Sequence, residues 1–290
     1  DQEKETSLNM PASESEHEIL THDLREAYME IFPAKGIEEK LQILPPNSYV
    51  AVTCSPRKGV DETLDLSEQL ITQGFRVVPH IAAKCVRNRQ HVSEIMERLD
   101  RMNIDSIFCP GGDRPEPVGE FQTAYELLEA IDEHGHNIDL IGIAAHPEGH
   151  PDVDDDTLMK ELERKAPLAT YIVTQMCFDA DLLGNWLIDL TRHGITLPVW
   201  IGLPGAIDRT HLIRTSMRIG VGDSLRFLRK KSQVAAELMK SSEYRPDELV
   251  SQITHYQALP ETNVAGYHLF CFNQVENTEN WRKQTIERLK

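Results

Sequence analysis

The chain has 290 residues, 40% of them hydrophobic and 27% charged, which is ordinary for a soluble globular protein and enough for a substantial core. Acids outnumber Lys plus Arg by 47 to 30, and the resulting charge of −17 repels nucleic-acid phosphates and anionic lipid, so neither is an expected partner. No run of 18 apolar residues occurs, so no membrane span is expected.

Residues 1–20 hold six acids and one lysine and read as a flexible acidic tail, which leaves 21–290 as one folded domain. The tail lacks the basic and apolar regions of a secretory signal. Short apolar, β-branched runs then follow at 27–33, 49–54, 75–82, 106–110, 140–145, 171–176, 199–203 and 264–272. Amphipathic stretches separate them at 61–73, 89–101, 119–134, 156–165, 180–193 and 208–218. A longer helical block at 222–257 precedes the eighth strand, and a helical pattern at 276–289 closes the chain. Eight strand–helix units predict an α/β fold of the (β/α)₈ barrel type, with a helical insertion before strand eight. Five scattered cysteines without a Cys-x-x-Cys spacing read as free thiols of a reducing compartment, and the cytoplasm is the expected location. A homo-oligomer is compatible with all of this.

Barrel active sites lie at the C-terminal ends of the strands, and polar residues gather there in this sequence. Strand one ends in Glu30-Ile-Phe-Pro33, strand two carries Thr53, and strand three ends in Pro79-His80. Strand four ends in Cys109-Pro-Gly-Gly-Asp113, strand five in Ala145-His-Pro-Glu-Gly-His150, and strand six in Thr174-Gln175. A carboxylate in an apolar strand, such as Glu30, is costly unless used or paired, so it is either a functional acid or half of an internal ion pair. His80 reads equally as a ligand contact or as a structural hydrogen-bonder. His146 and His150 are spaced i, i+4, but Pro147 and Gly149 between them oppose a helix, so no metal site is expected there. The Asp152–Asp156 run reads as a solvated loop or a helix N-terminus. Gly220-x-Gly222 follows no strand and reads as the junction of two helices, with Asp223 or Ser224 capping the second.

In this order the strand-end residues resemble the methylenetetrahydrofolate reductase family. Glu30-Ile-Phe-Pro33 is similar to its first strand, Val52-Thr53 to its second, Pro79-His80 to its third, and Gly112-Asp113 to its Arg-Gly-Asp turn. The two most specific segments are Ala144-Ala-His-Pro-Glu-Gly-His-Pro151 and Thr174-Gln-Met-Cys-Phe-Asp179, with Arg164-Lys165 between them. The resemblance runs from about residue 27 to 273 and implies a (β/α)₈ barrel that reduces 5,10-methylenetetrahydrofolate to 5-methyltetrahydrofolate. Electrons would come from NAD(P)H, through FAD or by direct hydride transfer.

On that resemblance Glu30 and Asp113 are the catalytic residues, Glu30 as proton donor to the folate N10, and Glu30, Asp113 and Gln175 bind the substrate's pterin side. Thr53, His80, Gly112, Asp113, His146, His150 and Lys165 match cofactor-binding positions. Two departures lie on the cofactor side: Gly111 stands where the family has Arg, and His146 where it has Tyr. A second reading is a folate-dependent one-carbon enzyme that acts on methyltetrahydrofolate in a demethylation pathway.

Overall fold

The computed structural model describes residues 14–218 and 242–289. Eight parallel strands form one sheet: β1 (Tyr28–Ile31), β2 (Tyr49–Val52), β3 (Arg76–Pro79), β4 (Ser106–Phe108), β5 (Leu140–Ala145), β6 (Tyr171–Thr174), β7 (Val199–Pro204) and β10 (Val264–Phe270). Strand β10 sits between β1 and β7, and β3 meets β4 where His80 bridges to Phe108 and the Ile81 N–H donates to the Phe108 carbonyl at 2.8 Å. The sheet thereby closes into the expected (β/α)₈ barrel. Seven of the eight strand runs read from the sequence contain one of these strands, and the run at 199–203 falls one residue short of β7.

Strand alternation sorts the side chains into two layers. Met29, Ile31, Val50, Val52 and Val77 face outward and pack with Ile37 and Leu41 of α2 (Ile37–Leu41) and with Leu66 and Leu70 of α3 (Gly59–Thr72). Tyr28, Val78, Phe108, Tyr171 and Val173 face inward with Tyr49 and Trp200 and fill the lower barrel. Tyr28 lies 4.7 Å from the Tyr49 ring and meets Trp200 edge-on at 4.6 Å, so this aromatic plug makes the interior a packed core and not a pore. Two residues further along, the same inward face carries Glu30 and His80, and His268 of β10 stands in register with Tyr28.

Helices α4 (Arg89–Arg101), α5 (Ala124–His134), α6 (Asp155–Lys165), α7 (Ala180–Arg192) and α10 (Val275–Arg288) join α3 in the outer layer. The acidic run is resolved as a helix start: Asp154 caps α6 by accepting from the Thr157 N–H at 2.9 Å. Between β7 and β10 the chain makes an antiparallel pair, β8 (Ile207–Asp208) with β9 (Glu243–Tyr244), that alternation alone did not reveal. Helices α8 (Arg209–Arg218) and α9 (Asp247–Gln257) flank it, whereas 219–241, including the Gly220-x-Gly222 junction and its caps, lie outside the described residues.

The tail boundary needs correction. Helix α1 (Glu14–Arg25) begins inside the stretch expected to be mobile, because Leu20 and Leu24, one turn apart, are buried against the barrel wall. Arg282 on α10 fixes the end of this helix by donating to the Leu24 and Arg25 carbonyls at 3.0 and 3.1 Å while paired with the buried Glu279 carboxylate. Residues 1–13 lie outside the described residues.

Candidate active site

The register places Glu30 of β1 beside Ala51 of β2, and Ala51 beside Val78 of β3. A methyl group at Ala51 leaves the space in which His80, just past β3, approaches Glu30. From the other flank, His268 of β10 reaches the Glu30 carboxylate with 2.7 Å between Nε2 and Oε2. Both imidazoles are buried, and the Glu30 side chain keeps 15% of its surface open. Glu30 is therefore paired, as one of the two sequence readings required, yet still reachable from the mouth. Its backbone is also held: the Cys271 thiol donates to the Glu30 carbonyl, and the Asn273 amide exchanges two hydrogen bonds with the Phe32 backbone at 2.9 and 3.0 Å.

His80 is the unusual member of this group. Its Nε2 is buried without a hydrogen-bond partner. Burial pushes its pKa down to about 4, with the neighbouring His268 adding to the effect and the Glu30 charge opposing it. A cavity of about 10 Å³, the space of roughly one water, lies under the cluster between His80, His268, Ala51 and the Tyr28 layer. Above it the rings continue to the mouth, His268 to Phe270 at 5.2 Å, Phe270 to Phe272 at 6.5 Å, and Phe272 to His211 at 5.9 Å. His268 is the residue that the sequence reading missed. Its signal was a polar side chain on the inward parity of a strand, between Gly266 and Phe270, the same signal that singled out Glu30.

The two signature segments hold each other. Glu148 accepts from the Phe178 and Asp179 N–H groups at 2.6 and 2.7 Å, which ties the loop after β5 to the loop after β6. Asp179 caps α7 through the Asp181 and Leu182 N–H groups, both at 3.0 Å. Thr174 accepts from the Gly202 N–H at 2.8 Å, and a Cβ at Gly202 would stand 2.4 Å from the Thr174 carbonyl oxygen, so only glycine permits this approach. Gln175 turns its side-chain carbonyl oxygen onto the Met176 N–H at 2.8 Å. Much of the signature is thus architecture around the mouth.

The remaining expected positions occupy the loops after β2, β4 and β5. Thr53 is half-buried at the end of β2. Gly112 has a positive φ of 94°, and a Cβ there would press on Ala82 at 3.1 Å; it aims the exposed Asp113 outward. The Arg114 guanidinium is spent on the Pro56 and Glu116 carbonyls. His146 and His150 meet edge-on at 5.3 Å, and His150 accepts from the Asp152 N–H. Burial, His150 and the Lys165 charge push the His146 pKa down to about 4. Lys165 itself is drawn in to donate to the Ala144 carbonyl at 3.1 Å, and its pKa is lowered by burial.

A closed parallel barrel with a paired carboxylate and two imidazoles at the C-terminal ends of its strands has the architecture of a (β/α)₈ enzyme. A family model, methylenetetrahydrofolate reductase, matches residues 37–218, and the chain belongs to that family. Among similar proteins, methylenetetrahydrofolate reductase 1 of Schizosaccharomyces pombe is 36% identical over 93 residues, which is 31% of this chain and 15% of that protein. Methylenetetrahydrofolate reductase 2 of Saccharomyces cerevisiae is 28% identical over 123 residues, 39% of this chain and 20% of that protein. The matched segments thus span a fifth or less of these curated relatives' lengths.

The family generally uses a flavin and NAD(P)H. A flavin dinucleotide needs donors for its pyrophosphate. Of the groups at the matching positions, Lys165 gives one of its N–H donors to a main-chain carbonyl, His146 is uncharged near neutral pH, and Gly111 offers no guanidinium. These three positions offer a pyrophosphate fewer charged donors than the family pattern does. Among the described residues no helix is long and apolar enough to cross a membrane.

Proposed function

We propose that the protein reduces 5,10-methylenetetrahydrofolate to 5-methyltetrahydrofolate, with hydride delivered directly from NAD(P)H. The observation that carries the reading is Glu30, a carboxylate held inside the barrel by His268 yet open toward the mouth. Protonation of N10 breaks the N10–methylene bond and leaves an N5 iminium. Hydride from the nicotinamide then adds to the methylene carbon, consuming one proton and one hydride and releasing NAD(P)⁺. Glu30 supplies that proton, and His268 fixes the carboxylate at the strand end and can return a proton to it. Asp113, exposed on a glycine turn, suits the amino edge of the pterin as a charged acceptor, and the Gln175 NH₂ can donate to the ring. The Phe270 and Phe272 rings offer an apolar wall for a planar ring system. All five cysteines are free thiols, which supports a reducing compartment such as the cytoplasm.

The test is NAD(P)H oxidation by the purified full chain, with and without methylenetetrahydrofolate, together with its visible spectrum. Folate-dependent oxidation by a protein without flavin absorption is the expected result. Flavin bands that bleach with NADH would restore the flavin route, and no folate-dependent turnover with either nucleotide would sink the reductase reading.

A further inference from the structure

Glu30, His80 and His268 have a second chemistry available to them. One ligand atom from each lies within 4.8 Å of the other two. Two imidazoles and a carboxylate form the donor set of catalytic zinc sites. Ligand atoms on a tetrahedral ion with bonds of roughly 2.0–2.1 Å stand about 3.3 Å apart. The 2.7 Å between His268 and Glu30 would have to open slightly and the His80 side close, both within the reach of small side-chain rotations. The three residues come from β1, β10 and the end of β3, rigid elements that suit a preformed site.

An independent observation points the same way. His80 Nε2 is buried with no hydrogen-bond partner, on a side chain 95% removed from solvent, and an unsatisfied buried nitrogen is a cost that needs a reason. A bound cation would satisfy it. The Glu30 side chain keeps 15% of its surface open, which gives an ion its way in.

We propose that Glu30, His80 and His268 bind one divalent transition-metal ion of the zinc class, and that the filled site blocks the reductase chemistry. The two states exclude each other for a simple reason: a cation on the Glu30 carboxylate stabilises its anion, so the group no longer holds the proton that N10 needs. The metal part of the proposal rests on geometry alone; the inhibitory part rests on the reductase reading.

The test is titration of the chelator-treated full chain with Co²⁺ and with Zn²⁺. Binding is followed by calorimetry and by the visible d–d absorption of four-coordinate Co²⁺. One equivalent is expected to bind, with affinity reduced at least tenfold in His80→Ala and in His268→Ala, while His146→Ala, at the other histidine pair, binds as the unaltered chain does. His80→Gln and His268→Gln, checked by circular dichroism, stand in if the alanine variants fail to fold. Absence of Co²⁺ bands, or binding that survives loss of His80 and vanishes with His146, would overturn the site. Zinc is further expected to suppress folate-dependent NAD(P)H oxidation at the concentration that fills the site. Full activity with the site filled would overturn the inhibition, and a protein that binds Co²⁺ but never turns over would sink the reductase reading alone.

Discussion

Two regions at the barrel mouth each place a pair of histidines beside a charged side chain, and the sign of that charge sets their chemistry. Next to β1, β3 and β10 the charged residue is Glu30, which pairs with His268 and opposes, without outweighing, the burial that lowers the His80 pKa. Above β5 it is Lys165, whose charge works with burial and with His150 to keep His146 neutral. The first arrangement can store and move a proton or hold a cation. The second sets a His146 ring with a lowered pKa beside a cation and, among the described residues, has no carboxylate to pair with. Lys165, which the resemblance assigns to the cofactor side, bonds a main-chain carbonyl here.

The largest effect expected from breaking this contrast is at Glu30. Glu30→Gln retains an oxygen for His268 but has no acidic proton, so folate-dependent turnover should fall by roughly 10²–10⁴, the usual worth of a positioned general acid. Methyltetrahydrofolate affinity, read by fluorescence quenching, should stay within a few-fold, and near-normal turnover would remove Glu30 from the proposed chemistry. Asp113→Asn comes next. The loss of one charged acceptor, worth about 1.5–3 kcal/mol, should weaken folate binding roughly tenfold or more. Unchanged folate affinity would place the pterin elsewhere in the mouth.

The barrel was legible in the sequence because short apolar runs such as Tyr49–Val52, buried on both faces, are separated by amphipathic stretches. Eight such units in succession are hard to mistake. Glu30 and His80 were legible because each follows or interrupts an apolar run. His268 was not, since in a sequence its parity relative to Glu30 means little until β10 is known to lie beside β1. The pairing of β8 with β9 was hidden for the same reason, as two-residue strands 35 positions apart carry no periodic signal. The helical start of the tail was masked by its charge, because Leu20 and Leu24 are too few to outweigh the acids around them.

The smallest effect, and the one that sharpens the comparison most, is the acid response of the β5 region. An imidazole that titrates near 6.5 in the unfolded chain and at about 4 at His146 binds its proton in the unfolded state first. The contribution is therefore absent as a penalty above pH 6.5 and grows as the pH falls from 6.5 through 4. For a half-buried ring this should cost about 1 kcal/mol of folding stability between pH 7 and pH 5. Urea midpoints at the two pH values should converge in His146→Asn relative to the unaltered chain. Lys165→Met should raise the His146 pKa, seen by NMR, because it removes the Lys165 charge, while burial and His150 still hold it below 6.5. A His146 pKa that does not move in this variant would mean that Lys165 already points its charge away from the ring, toward a ligand position at the mouth, and the flavin phosphate would then regain its partner.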